Sequence, residues 1–173
     1  MKPLLLLLTT LLLISCGATV TVDFDEVVDF TDFTTYQFYS DIDSGLNELD
    51  NKRIMKAIDS SLQRRGFTQT ESCKFYINFY ASEQISNSRN TIGIGVGSGG
   101  GNVGVGVSGG IPIGGRIINQ QLTIDIIDAS KGEELAWQAV IEGELKENAS
   151  PEQKEAYYIA VIDKALKRFP PKK

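Results

Sequence analysis

No histidine occurs anywhere in the chain. Histidine is the usual acid/base near neutral pH and a common zinc ligand, so its absence excludes His-dependent catalytic triads and His-ligated metal sites. Cysteine is nearly absent too. With only Cys16 and Cys73, no set of disulfides can brace the fold. Basic residues are in the minority, 17 Lys and Arg against 22 Asp and Glu, for a net charge of -5. No Lys/Arg run interleaves with aromatics, which argues against nucleic acid, whose phosphates need a clustered basic face. What is present, 42% hydrophobic and 9% aromatic residues over 173 positions, suits one globular domain and is too apolar for a wholly disordered chain.

The one long apolar run stands at the start. Lys2 supplies a positive charge, and Leu4 to Ile14 is apolar apart from Thr9 and Thr10. A bilayer span needs about 20 apolar residues, so this segment reads as a secretory signal. Its end, Leu13-Ile14-Ser15-Cys16, resembles the bacterial lipobox: Leu three places before the Cys, a small residue just before it, and a thiol to carry diacylglycerol. Ile14 is larger than the residue usual at its place. The expectation is a signal peptide over 1–15, a lipidated anchor and short tether over 16–18, and one domain over 19–173. The alternative is soluble secretion after cleavage. Gly17 follows the Cys where an Asp would signal retention, so the membrane partner expected is the outer membrane, with the domain facing the periplasm. Cys73 is then the free thiol, and its place in the run Cys73 to Tyr80 predicts burial as a small hydrophobe.

Period-two alternation predicts strands at Val20-Val22-Phe24, Thr35 to Tyr39, Cys73 to Tyr80, Leu122-Ile124-Ile126 and Leu135 to Leu145, the last two joined by the turn Asp128 to Gly132. Ile54, Ile58 and Leu62 recur every four residues and Gly66 follows, which predicts a helix over Asn47 to Arg65. A second helix is signalled by Ser150 as N-cap, Pro151 at the first position, Gln153 completing a capping box and Pro170-Pro171 as the stop. Ile159, Ile162, Leu166 and Phe169 are its expected buried stripe. Lys164, Lys167, Arg168, Lys172 and Lys173 read as its basic C-terminal end. Together these elements predict an α+β fold: a two-layer sandwich with a mostly antiparallel sheet, two main helices on one face and a glycine-rich β-hairpin over 91–115.

Twelve of the 17 glycines lie between Gly93 and Gly115. Ile92, Ile94 and Val96 alternate with glycine, Gly99 to Asn102 intervenes, and Val103, Val105 and Val107 alternate again. That order reads as a hairpin with one apolar face and one face of bare backbone. Three readings stay open: a flap extending the sheet, an edge that binds a protein partner or a second copy, or a lipid-facing hairpin, against which stands the lack of an aromatic girdle. Gly95-Gly97-Gly100 and Gly104-Gly106-Gly109 match a dinucleotide pattern by chance, since neither opens onto a helix.

No assembled catalytic constellation is legible. Asp125 and Asp128 flank one turn and Glu142 and Glu144 share a strand face, without anything to make them converge. The acidic cluster Asp23, Asp25, Glu26, Asp29 and Asp32 lacks ligand spacing, and the EF-hand-like start at Asp41 fails at Lys52. No catalytic residue, metal site or cofactor is therefore assigned.

The order of landmarks resembles the bacterial lipoproteins of the domain of unknown function 4136 family. The matching residues are Thr34-Thr35-Tyr36-Gln37-Phe38, Lys52-Arg53-Ile54, Leu62 with Gly66-Phe67, the glycine-rich middle, Leu122 to Asp128, Ala136-Trp137 and the closing Phe169-Pro170-Pro171. Ser72-Cys73 and Trp137-Gln138-Ala139 depart from the Ala-Asp and Trp-Arg-Gly usual there. The resemblance implies an envelope lipoprotein with an α+β domain, a non-catalytic binding or structural module.

Overall fold

The computed structural model describes residues 17–87, 91–92, 111–112 and 115–171. In chain order the elements are β1 (Thr19–Phe24), a short 3-10 turn (Phe30–Asp32), β2 (Thr35–Phe38), α1 (Glu48–Gln63), β3 (Thr68–Gln69), β4 (Phe75–Asn87), β5 (Thr91–Ile92), β6 (Ile111–Pro112), β7 (Arg116–Asp128), β8 (Glu134–Lys146) and α2 (Pro151–Leu166). Six strands form one sheet in the order β1-β8-β7-β4-β2-β3, antiparallel from β1 to β4. β2 pairs parallel with both β3 and β4. Parallel neighbours need a crossover connection, and α1 supplies it. The fold is α+β with a mixed, mostly antiparallel sheet.

Register sorts the sheet into two faces, because side chains alternate along each strand. Phe75, Ile77 and Phe79 of β4, Leu122, Ile124 and Ile126 of β7, and Trp137, Ala139 and Ile141 of β8 turn to the helices and are buried. From α1 they meet Ile54, Ala57, Ile58 and Leu62, and from α2 Tyr158, Val161, Ile162, Ala165 and Leu166. Phe169 lies past the end of α2, with its ring centroid 5.4 Å from Trp137 and 5.5 Å from Phe75. Each such large apolar side chain contributes about 1.5–3 kcal/mol on leaving water.

α2 begins as expected, with the Ser150/Gln153 capping box formed and Pro151 at the first position. Its buried stripe differs by one position. Ile159 is 45% exposed and Tyr158 takes its place; both stand one turn before Ile162, and the sheet opposite takes Tyr158, whose hydroxyl accepts from Gln120 of β7. Cys73 also departs from expectation. It precedes β4 and is partly exposed rather than buried, since the buried alternation starts at Phe75.

The helices run parallel and are tied at both ends by charge. Near their N-termini, the buried Asp50 carboxylate takes Arg53 Nη1 at 2.7 Å and Lys154 Nζ at 2.8 Å. Near their C-termini, Asp163 of α2 accepts from Ser61 Oγ at 3.0 Å and pairs with Arg64 and Arg65, each at 3.1 Å. Burial pushes both carboxyls up, but the bonds they receive outweigh it and hold each below the ordinary carboxylate value.

β5 and β6 pair antiparallel through Thr91↔Pro112 and Ile92↔Ile111. Ile94, Val96, Val103, Val105 and Val107 of the expected hairpin lie outside the described residues, as does Cys16.

Candidate functional site

The carboxylates singled out from sequence fall apart in space. Asp125 and Asp128 stand three apart on β7, which sends them to opposite faces of the sheet. Asp128 faces the helices, buried, and accepts from the Ser130 backbone N–H at 2.8 Å and Ser130 Oγ at 2.6 Å. It shapes the β7–β8 turn, where Gly132 (φ 75) and Glu133 (φ 64) adopt left-handed backbone. Asp125 faces outward and accepts from Gln138 Nε2 at 2.8 Å, and burial pushes its pKa up against that bond. Glu142 and Glu144 do share one face of β8, exposed. Glu142 receives Thr19 Oγ1 at 3.3 Å and Gln121 Nε2 at 3.4 Å, the bonds of a strand surface. Among the described residues no three His, Cys, Asp or Glu side chains are grouped to hold a metal ion.

The built feature lies where the chain enters the domain. Thr19 opens β1 opposite Glu142. Ala18 packs against the core, and its carbonyl accepts from Lys164 Nζ at 2.5 Å. Arg168 Nη1 donates to the Val20 carbonyl at 3.1 Å. The basic residues near the end of α2, expected to complement its dipole, thus also stitch the entering strand to the helix.

Gly143 makes the close approach possible. A Cβ there would lie 2.5 Å from the Tyr157 hydroxyl and 3.2 Å from Ala18 Cβ. Beside it, Gln120 is 2% exposed and donates through Nε2 to Glu83 Oε1 at 2.7 Å and to the Tyr158 hydroxyl at 3.1 Å. Its Oε1 has no partner among the described residues, and the buried Trp137 Nε1 is in the same position. Burial, with the Glu83 charge, raises the Tyr157 phenol to about 12, so it stays neutral at any physiological pH. A cavity of about 1020 Å³ adjoins these groups and draws its lining from both sheet faces: Ser82, Gln121 and Glu142 outside, Gln120, Tyr157 and Lys164 inside.

Sequence reasoning placed the strand Val20 to Phe24, which the structure forms as β1, but missed Gln120, Tyr157, Lys164 and Arg168. A polar residue in the apolar alternation of β7 was the available signal for Gln120. Nothing in the sequence pairs Lys164 or Arg168 with a backbone carbonyl of β1.

The family model described as "Domain of unknown function (DUF4136)" matches residues 20–171. No curated relative matches the chain. Among solved structures, a PDZ domain protein from Parabacteroides distasonis is similar over 91% of this chain at 18% identity and a TM-score of 0.54. This chain spans 37% of that protein's length. The PelC dodecamer from Paraburkholderia phytofirmans is similar over 90% of this chain and 99% of its own, at 12% identity and a TM-score of 0.51. At these identities the likeness is one of fold.

Proposed function

The chain belongs to the DUF4136 family, and from that premise we propose that it is a cell-envelope lipoprotein, held in the outer membrane by lipid on Cys16 with its domain facing the periplasm. Its role is that of a non-catalytic binding or structural module. The observation that carries this reading is the join between motif and domain: Leu13-Ile14-Ser15-Cys16 ends two residues before Ala18, which is already bonded to α2. No helix among the described residues is long and apolar enough to cross a membrane.

Cys16→Ala tests the anchor. The expected outcome is an N-terminal peptide without diacylglycerol mass and a protein released to the soluble fraction. A Cys16→Ala protein still wholly in the membrane fraction overturns the reading. For the non-catalytic role, a broad hydrolase screen is expected to show no turnover, and turnover abolished by Asp125→Asn or Asp128→Asn would reverse it.

A second reading, self-association or protein binding through the glycine-rich edge, is favoured by the open side of β4. β2 covers β4 only from Phe75 to Ile77, and the Ser44 carbonyl meets the Ala81 N–H at 2.8 Å. Beyond Ala81 the outer edge of β4 carries no strand among the described residues, and such an edge is a template for another chain. The dodecamer formed by PelC makes native mass the quantity to measure. Deleting 92–108 is expected to lower the number of copies in the native assembly or to remove co-purifying proteins, and no change in either rejects the glycine-rich segment as an interface.

A further inference from the structure

We propose that the end of the sheet carrying Ile85, Ile118 and Leu145 lies against the bilayer, so that the membrane is a surface partner of the folded domain as well as the place of its anchor. The inference rests on the lipidation of Cys16 proposed above. Thr19 pairs with Glu142, and the strand neighbours continue that row through Gln121 to Ser82. Three residues further toward the same end, Leu145 pairs with Ile118 and Ile118 with Ile85. Cys16 stands three residues before Thr19. Fully extended, three residues reach about 10 Å, the rise of three strand residues. A lipid-bearing residue 16 can thus rise no further than the level of the Leu145–Ile118–Ile85 row, while β4 and β7 run on to Asn87 and Arg116.

The attachment is short. Ala18 and Val20 are bonded to Lys164 of α2 and to Arg168 just past its end, so residue 16 stands two residues from a fixed point. The row itself is apolar, with Ile85 52% exposed, Ile118 half-buried and Leu145 buried. Among the described residues its charged neighbours do not form a basic patch: Arg116 is paired to Glu147 at 2.9 Å, and the exposed Lys146 stands beside the exposed Glu144. Contact is therefore imposed by the short anchor, with Ile85 as the exposed apolar side chain of the row, and not by headgroup charge.

The test uses the full-length lipidated protein purified from membranes and reconstituted in phosphatidylethanolamine and phosphatidylglycerol vesicles. In a Cys73→Ser background, an environment-sensitive dye is attached at Ile85→Cys, or at Lys131→Cys in the β7–β8 turn at the opposite end. Gln84→Cys, exposed at the neighbouring register, serves if the Ile85 variant fails to fold. The tip probes are expected to shift to the blue on reconstitution and to be quenched several-fold more than the Lys131 probe by a shallow spin-labelled lipid, at low and high salt alike. Equal quenching at both ends of a protein that carries its lipid overturns the proposal. Absence of diacylglycerol on the N-terminal peptide, read by mass in the same preparation, overturns the anchor itself.

Discussion

Replacing Asp50 by alanine should cost this domain a large share of its stability. The Asp50 side chain is 3% exposed and receives Arg53 Nη1 at 2.7 Å, Lys154 Nζ at 2.8 Å and Asn47 Nδ2 at 2.7 Å. Breaking a buried ion pair by removing one partner costs about 3–5 kcal/mol, because the other charge is stranded. Arg53 and Lys154 keep 19% and 22% of their side-chain exposure, so water recovers part of that loss. The expected loss is about 2–3 kcal/mol, a fall in Tm of about 4–12 °C for a chain of this size. Urea unfolding followed by Trp137 fluorescence reads it directly, since the single tryptophan is fully buried against Phe169. Combining Asp50→Ala with Lys154→Met should cost less than the sum of the two, by on the order of 1 kcal/mol. The pH dependence gives a second check. The folded-state pKa of Asp50 is held below the ordinary 3.8, so its contribution is complete above that value and lost as pH falls through the lower, folded one. Asp50→Asn should therefore flatten the acid limb of the stability curve. A loss within about 0.5 kcal/mol of zero, the size of an ordinary surface substitution, with an unchanged acid limb, would refute the reasoning.

Three further outcomes follow from the same contacts. Lys164→Met with Arg168→Met removes two donors from the backbone of β1, so amide exchange should speed up in Thr19–Phe24 while the β4–β7 ladder stays protected. Gly45→Ala should cost about 1–2 kcal/mol by urea unfolding, because its φ of +72° is left-handed and the new Cβ would sit 3.0 Å from the Ala81 carbonyl. Cys73, partly exposed ahead of β4, should react with a maleimide in native buffer more slowly than in urea but within about an order of magnitude of that rate; a native rate many orders of magnitude slower would mean that it is buried after all.

Most of the fold was legible because its signals are local. The alternation in Leu122-Ile124-Ile126, the cap Ser150 with Gln153, and Gly66 after α1 each act within a few residues, and each appears where expected. The stripe of α2 was misplaced by one residue because Ile159 and Tyr158 are both apolar enough to be buried, and only the sheet opposite selects Tyr158. Cys73 was misjudged because an apolar run does not show where its strand begins. The parallel pairing of β2 with β4 was not foreseen, since it depends on α1 crossing over the sheet.

The amino-acid sequence by itself determined what is chemically possible: no histidine chemistry, no disulfide framework, two capped helices, and a candidate anchor joined closely to the first strand. Tertiary structure alone decided what stands beside what. It brought Lys164 and Arg168 back across some 146 and 148 positions to the entering strand, and set the start of β1 at the same end of the sheet as Ile85. Those relations follow from strand register and helix packing, which sum weak contacts over the whole domain, and no local run of residues encodes them.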